Sequence, residues 1–179
     1  DVETYWTDRF STDQAIRFED YSDFGSTATG KVAAAFRANE AWLLRASAST
    51  GFRAPSLQQR YFSSTFTDFV NGVPTDVVLA PNGGAIAAAA GIPSLKEEES
   101  TNFTLGFTWS PTDALSVTLD GYHIEIDDRI VLSGRFQDDD PSIGHILQQL
   151  GVGEAQFFVN SVDTRTRGID LTINHRADV

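Results

Sequence analysis
Asn102-Phe103-Thr104-Leu105-Gly106-Phe107-Thr108-Trp109 holds a large apolar residue at every odd position and a small or polar one at every even position. A helix would scatter these side chains around its axis, whereas a strand sends them to one face. The next run, Leu115-Ser116-Val117-Thr118-Leu119-Asp120, alternates in the same way. Between them Ser110-Pro111-Thr112-Asp113 has Pro and Asp where a tight turn takes them. The whole reads as a β-hairpin with one apolar face and one polar face.

The pattern recurs on both sides. Trp42, Leu44, Ala46, Ala48 and Phe52 alternate with Leu43, Arg45, Ser47, Ser49 and Gly51. Val32, Ala34 and Phe36 alternate with Lys31 and Arg37, Ile16 and Phe18 with Arg17 and Glu19, and Ile169, Leu171 and Ile173 with Asp170. This predicts about seven strands, roughly 2–6, 10–22, 28–37, 41–52, 98–109, 114–127 and 157–175. Short turns fall near 7–9, 38–40, 110–113 and 176–179, and long loops near 53–97 and 128–156. If the strands run up and down in sequence, both long loops lie at one end. A tight link near 23–27 is the exception at that end. Ala85–Ala90 is helix-prone and stops at Gly91-Ile92-Pro93. Ile143, Ile146, Leu147 and Leu150 have helical spacing ahead of Gly151, so short helices are expected within both loops.

Alternation suits a soluble sandwich as well as a membrane barrel. The strands, at about ten residues, exceed the usual five or six and match what crosses a bilayer. Trp42 and Trp109 sit on the apolar face beside short turns, where an interfacial girdle would place them. The opposite face carries Arg17, Glu19, Lys31, Arg37 and Arg45, with Asp120 and Asp170. Those charges suit a wet lumen better than a core.

Composition narrows the function classes. The 179 residues include 13 Lys and Arg against 25 Asp and Glu, a net charge of -12 that argues against nucleic acid. Cysteine is absent, which removes thiol and thiolate chemistry. The mean hydropathy of -0.20 does not argue against a membrane barrel, because only every second residue of such a strand meets lipid. No apolar run of about 18 residues offers a membrane-spanning helix. The chain reads as an excised segment of something longer.

Five stretches, Arg17–Gly25, Thr50–Leu57, Leu95–Phe103, Asp120–Ile130 and Phe157–Asp170, resemble in order and spacing the barrel segments of TonB-dependent outer-membrane receptors. Glu98 stands where that family often has Pro. The resemblance covers nearly the whole chain, read as one partial barrel domain over 1–179. It implies an antiparallel transmembrane β-barrel of about 22 strands with an N-terminal plug inside. Neither the plug nor the final strand is in this sequence. It further implies a Gram-negative outer membrane and lipid around the barrel. Its partners would be the TonB complex, reached through the missing N-terminal region, and a small ligand such as a ferric siderophore. No enzyme activity and no cofactor are implied.

Individual residues offer little chemistry. His123, His145 and His175 lie on different predicted elements without metal spacing. The acidic runs Glu97–Glu99 and Asp138–Asp140 lack the EF-hand pattern and read as solvated loops. Arg53, where a strand meets a long loop, is the best candidate to meet an anionic ligand, with Arg129 and Asp127 behind it. Arg53 would equally serve to tie the loop to neighbouring acids. An ungated porin, an outer-membrane hydrolase and a soluble β-sandwich binding module remain as rivals.

Overall fold
The structure is a computed structural model that describes residues 1–22 and 25–177. The chain order is β1 (Val2–Thr7), β2 (Phe10–Tyr21), β3 (Gly25–Arg37), β4 (Trp42–Arg53), α1 (Leu57–Tyr61), β5 (Ser64–Val70), β6 (Val73–Leu79), α2 (Ala85–Ala89), β7 (Glu98–Thr112), β8 (Leu115–Leu132), β9 (Phe136–Gln137), α3 (Gly144–Leu150), β10 (Glu154–Gln156) and β11 (Phe158–His175). Seven strands form one sheet in the order β1-β2-β3-β4-β7-β8-β11. That order is linear, so β1 and β11 are edges and the sheet does not close on itself. The chain divides into two compact units. A strand unit comprises Asp1–Phe52, Glu99–Asp127 and Asp163–Val179, and a loop unit comprises Arg53–Glu98 and Asp128–Val162.

In the strand unit the ladder sorts side chains by face. Antiparallel pairing sets Phe10 opposite Phe36 and Phe36 opposite Leu44. On the same principle Phe107 faces Leu119 and Trp109 faces Val117. Partners across a ladder share a face, so apolar residues are collected on one side. That side is not covered: Phe18 is 77% exposed, Leu105 70% and Ile169 75%. Among the described residues every buried hydrophobic side chain belongs to the loop unit, from Val77 and Leu95 to Ile143 and Phe157.

Local chemistry sets the turns. The Asn39 side-chain carbonyl accepts from the N–H groups of Ala41 and Trp42 at 2.9 and 3.0 Å, closing the β3–β4 turn. The Thr7 hydroxyl accepts from Arg9 N–H at 3.2 Å in the β1–β2 turn. The β7–β8 connection is tighter than the turn expected at 110–113. Strand β7 runs on to Thr112, because a register shift between Trp109 and Thr112 accommodates Pro111, which has no N–H for the ladder. Of the links read from sequence, Asp23 and Phe24 in one and Asp178 and Val179 in another lie outside the described residues.

The long loops hold more structure than the sequence reading anticipated. Besides α2 and α3 they contain α1 and a four-stranded sheet in the order β5-β6-β10-β9. Strands β5 and β6 form a hairpin around Asn71 and Gly72, with φ of 52° and 82°, the geometry that an Asn-Gly turn favours. Val78, Ala80, Ala87, Ile143, Leu147, Ala155 and Phe157 form a common core. Phe136 packs edge-on against Phe157 with ring centroids 5.4 Å apart. The α3 helix ends at Gly151, whose φ of 69° suits the left-handed cap.

The exposed apolar face generates a test. In the full-length protein, Leu105→Arg should cost about 2–4 kcal/mol of folding stability in a bilayer, while Thr104→Arg should be mild. Folding titrations into vesicles measure both, and equal losses would reject the assignment of faces.

Candidate functional site
The polar face of the strand unit carries a groove of about 370 Å³. Its floor is small: Ser11 on β2, Ala33 and Ala35 on β3, and Ser47 on β4. Charges stand around it. Lys31 Nζ lies 2.6 Å from Asp13 Oδ2, one strand away. Arg45 Nη2 donates to both carboxylate oxygens of Asp120, at 2.8 and 3.0 Å. Arg17 and Glu19 pair along β2 at 2.6 Å.

The Arg45–Asp120 pair joins β4 to β8, with β7 lying between them in the sheet. The span is two strand spacings, roughly 10 Å. Gly106 makes it possible. A Cβ there would lie 1.9 Å from Asp120 Oδ1 and 2.7 Å from the Leu119 carbonyl oxygen. On the same face Tyr122 covers Gly168, whose Cβ would meet the phenol oxygen at 2.3 Å. Glycines in the strands therefore let long side chains lie flat across the wall.

The register sets Arg17, Glu19, Lys31, Arg37 and Arg45 on this one face, opposite Thr29, Thr27, Ala15, Leu43 and Ala35 respectively. Trp42 and Trp109 lie together on the other face, stacked with ring centroids 5.9 Å apart. The three ligand candidates do not form one cluster. Asp127 pairs across the ladder with Glu99 in the strand unit, on the face of Phe103 and Leu105. Arg53 and Arg129 belong to the loop unit. There Arg53 donates through Nε and Nη2 to Glu98, the Nε bond measuring 2.8 Å. Glu98 is buried and also accepts from Ile130 N–H at 2.7 Å, and Arg129 adds its attraction. Glu98, read from sequence as a solvated acid, is thus the fixed centre of this junction.

Two asparagines that the sequence reading passed over hold the loop unit together. Asn82 donates to the carbonyls of Pro93 and Phe158 and accepts from Leu95 N–H. Asn160 donates to the carbonyls of Lys96 and Asp128 and accepts from Lys96 N–H. Nothing in the one-dimensional pattern marks them, since each acts on backbone remote in sequence. Arg135 bridges Asp68 and Glu154, the latter at 2.9 Å. That guanidinium, helped by Phe69 N–H, holds the Asp68 carboxyl below its ordinary range. The Ser142 hydroxyl and N–H do the same for Asp140. His145 lies in α3 and His175 in β11, and among the described residues no cluster of acids and histidines could hold a metal ion.

The family model for the β-barrel of TonB-dependent receptor-like proteins matches residues 1–178. The chain belongs to the TonB-dependent receptor family. No curated protein matches it. Among solved structures, the siderophore receptor PirA of Pseudomonas aeruginosa is similar with a TM-score of 0.69 at 18% identity, over 94% of this chain and 29% of that one. The ferric enterobactin receptor PfeA of the same organism, as a mutant in complex with enterobactin, gives 0.69 at 16% identity, over 94% and 23%. The hemophore receptor HasR of Serratia marcescens, in complex with HasA and heme, gives 0.55 at 15%, over 94% and 28%. At these identities the likeness shows the fold. The chain spans less than a third of each of these proteins. It is a portion of a receptor barrel of the Gram-negative outer membrane, from a family of receptors rather than enzymes.

Two outcomes follow for the TonB-dependent receptor carrying this segment. Gly106→Ala should destabilise the folded barrel by about 1–3 kcal/mol, because the new methyl strikes backbone as well as the acid. Asp120→Asn should cost only about 0–1 kcal/mol, because the pair is half-buried and solvent still screens it. Chemical unfolding in vesicles compares them, and equal costs would contradict the role given to Gly106.

The second outcome concerns pH. Asp68 and Asp140 have folded-state pKa values below the ordinary 3.8, so their contribution is complete above that value and is lost as pH falls through the lowered ones. Hydrogen-exchange protection of Ser64–Val70 and Gly144–Leu150, corrected for intrinsic rates, should stay level down to about pH 4 and then decline. Asp68→Asn should remove the decline in Ser64–Val70 alone. Protection unchanged under strongly acidic conditions would contradict this account.

Proposed function
We propose that this segment forms part of the wall and outer loops of an importer that carries a scarce nutrient across the outer membrane, energised through TonB. The observation that carries this reading is the inverted distribution of apolar side chains. In the strand unit they are exposed along one face, and among the described residues the buried hydrophobic ones are all in the loop unit. A soluble β-sandwich would bury such a face, whereas a lipid-facing sheet leaves it open. The stripe also runs oblique to the hydrogen-bonded rows. On β2 its most exposed members are Ile16 and Phe18, although Phe10 is the residue that shares a row with Phe36 and Leu44. Strands tilted about 35–45° to the membrane normal produce that offset.

On this reading Trp42 and Trp109 form part of the girdle at the end bearing the short turns. Arg17, Glu19, Lys31, Arg37 and Arg45 line a wet lumen within a plugged barrel of about 22 strands. The two long excursions lie outside the cell, where the loop unit's own core keeps them folded. The proposed cargo is a ferric siderophore or a similar metal chelate, in keeping with what PirA, PfeA and HasR are described as receiving. Arg53 commits Nε and Nη2 to Glu98, so its main part is to anchor the loops, with Nη1 left to meet an anionic cargo. Arg129 and Asp127 would act from their own units. A plugged lumen does not pass a bulky solute by diffusion, so transport needs work delivered through the region that contacts TonB.

Uptake by the full-length protein should therefore cease when TonB or the proton gradient is removed, while binding of the chelate at the cell surface survives. Radiolabelled iron uptake beside surface binding measures both. Passage of small solutes regardless of TonB would replace this reading with an open porin.

A further inference from the structure
The apolar face changes character along its length. On β8, Val117 and Leu119 are followed by His123, Glu125 and Asp127, and on β11, Ile173, Leu171 and Ile169 give way to Arg167 and Arg165. Register keeps these polar residues on the apolar face, since His123 pairs with Phe103 and Glu125 with Thr101. Four of them form one hydrogen-bonded chain. Arg167 donates through Nε to His123 Nδ1 at 2.7 Å. His123 Nε2 lies 3.0 Å from Glu125 Oε1, and Arg165 donates through Nε to the same oxygen at 2.6 Å. Because Nδ1 accepts, the imidazole carries its proton on Nε2 and donates it to Glu125.

This chain holds both guanidinium groups by Nε alone. The terminal nitrogens take no part in it, and the Arg165 side chain is 62% exposed. Two residues apart on one face, the arginine stems stand about 7 Å from each other. Glu125 is the one carboxylate in this hydrogen-bonded chain and it bonds His123 and Arg165 but not Arg167, so two guanidinium groups share a single anion. Further along the same face Glu99 pairs with Asp127. An anion is therefore confined to the arginine band, with acids on one side and the apolar stripe on the other.

From this geometry we propose that Arg165 and Arg167 dock the phosphorylated headgroup of a membrane lipid, whose acyl chains lie along Ile169, Leu171, Ile173, Phe103 and Leu105. The inference rests on the reading that this face meets lipid. Paired guanidinium forks match phosphate oxygens bidentately, and their position next to exposed apolar side chains suits a ligand with a charged head and an apolar tail. A soluble acidic partner would have no use for the stripe.

The test uses the full-length receptor in detergent, mixed with phosphatidic acid or with diacylglycerol of the same chains, and native mass spectrometry to count retained lipid. Wild type should retain phosphatidic acid about tenfold better than diacylglycerol, the order of a charge-assisted bidentate contact. Arg165→Gln with Arg167→Gln should abolish the preference, and the double Lys variant should restore part of it. Should the double Gln variant fail to fold, as judged by heat-modifiable gel mobility, Arg167→Gln alone serves, because it spares the Arg165–Glu125 bond. Equal retention of both lipids by wild type, or an unchanged preference in the variants, overturns the proposal. So does full displacement of phosphatidic acid by inorganic phosphate, which would mark a free-phosphate site. Lipid retention is read without TonB, so its failure is distinguishable from failure of the transport reading.

Discussion
The backbone ladder is the constraint on which the rest of this structure depends. A chain that crosses hydrocarbon must pair every N–H and C=O within the protein, because lipid offers no partner. A sheet meets that demand strand by strand, and it imposes a period of two on the side chains. A slip of one residue would carry Arg45 to the side of Trp42 and Leu44, so faces and register are specified together. The unbroken pairing of Phe10 through Tyr21 with Gly25 through Phe36 is the plainest instance. Where proline withholds its N–H, at Pro111, the ladder shifts register at the end of the strand rather than within it.

Once the register is fixed, the polar face has to settle its charges across strands. Adjacent strands allow short pairs such as Lys31 with Asp13. Longer spans need a gap in the intervening strand, and Gly106 supplies one for Arg45 and Asp120, as Gly168 does for the ring of Tyr122. A residue that weakens a strand in isolation here permits the contact that orders the wall. The gain from each exposed pair is small. Its larger consequence is that long side chains lie along the wall instead of projecting from it.

The seven strands of the larger sheet were legible in the sequence because alternation is a local signal repeated many times over. Their ends were less so: β7 passes Pro111 to Thr112, and β8 continues to Leu132 beyond the expected limit near 127. The four loop strands were missed, although Asn71-Gly72 between Ser64–Val70 and Val73–Leu79 is a strong hairpin signal. The others, β9 and β10, are two and three residues long and exist only through their partners. The polar-face charges were read as a set from their parity. Their partners were not, since Arg45 finds Asp120 seventy-five positions away. Glu98 looked like one acid in a run of three, and only the fold shows it buried against Arg53.

The two units satisfy opposite solvents with one chain. The loop unit has a buried apolar core of its own, in which Phe157, Ile143, Leu147 and Val77 are fully buried. The strand unit has no such interior among the described residues, and its large apolar side chains are on the surface. Neither pattern predicts the other from composition, and their average is an unremarkable mean hydropathy of -0.20. The difference has a physical consequence for how each part is held. Folding of the strand unit depends on lipid and on neighbouring strands for its apolar face and its two edges. The loop unit carries its own core, reinforced by Asn82, Asn160 and Arg135. Internal bracing of this kind offsets the conformational entropy that a connection of such length loses when it is ordered. Part of that bracing comes from the long strands themselves, since Asn160 lies on β11 and its partner Asp128 on β8.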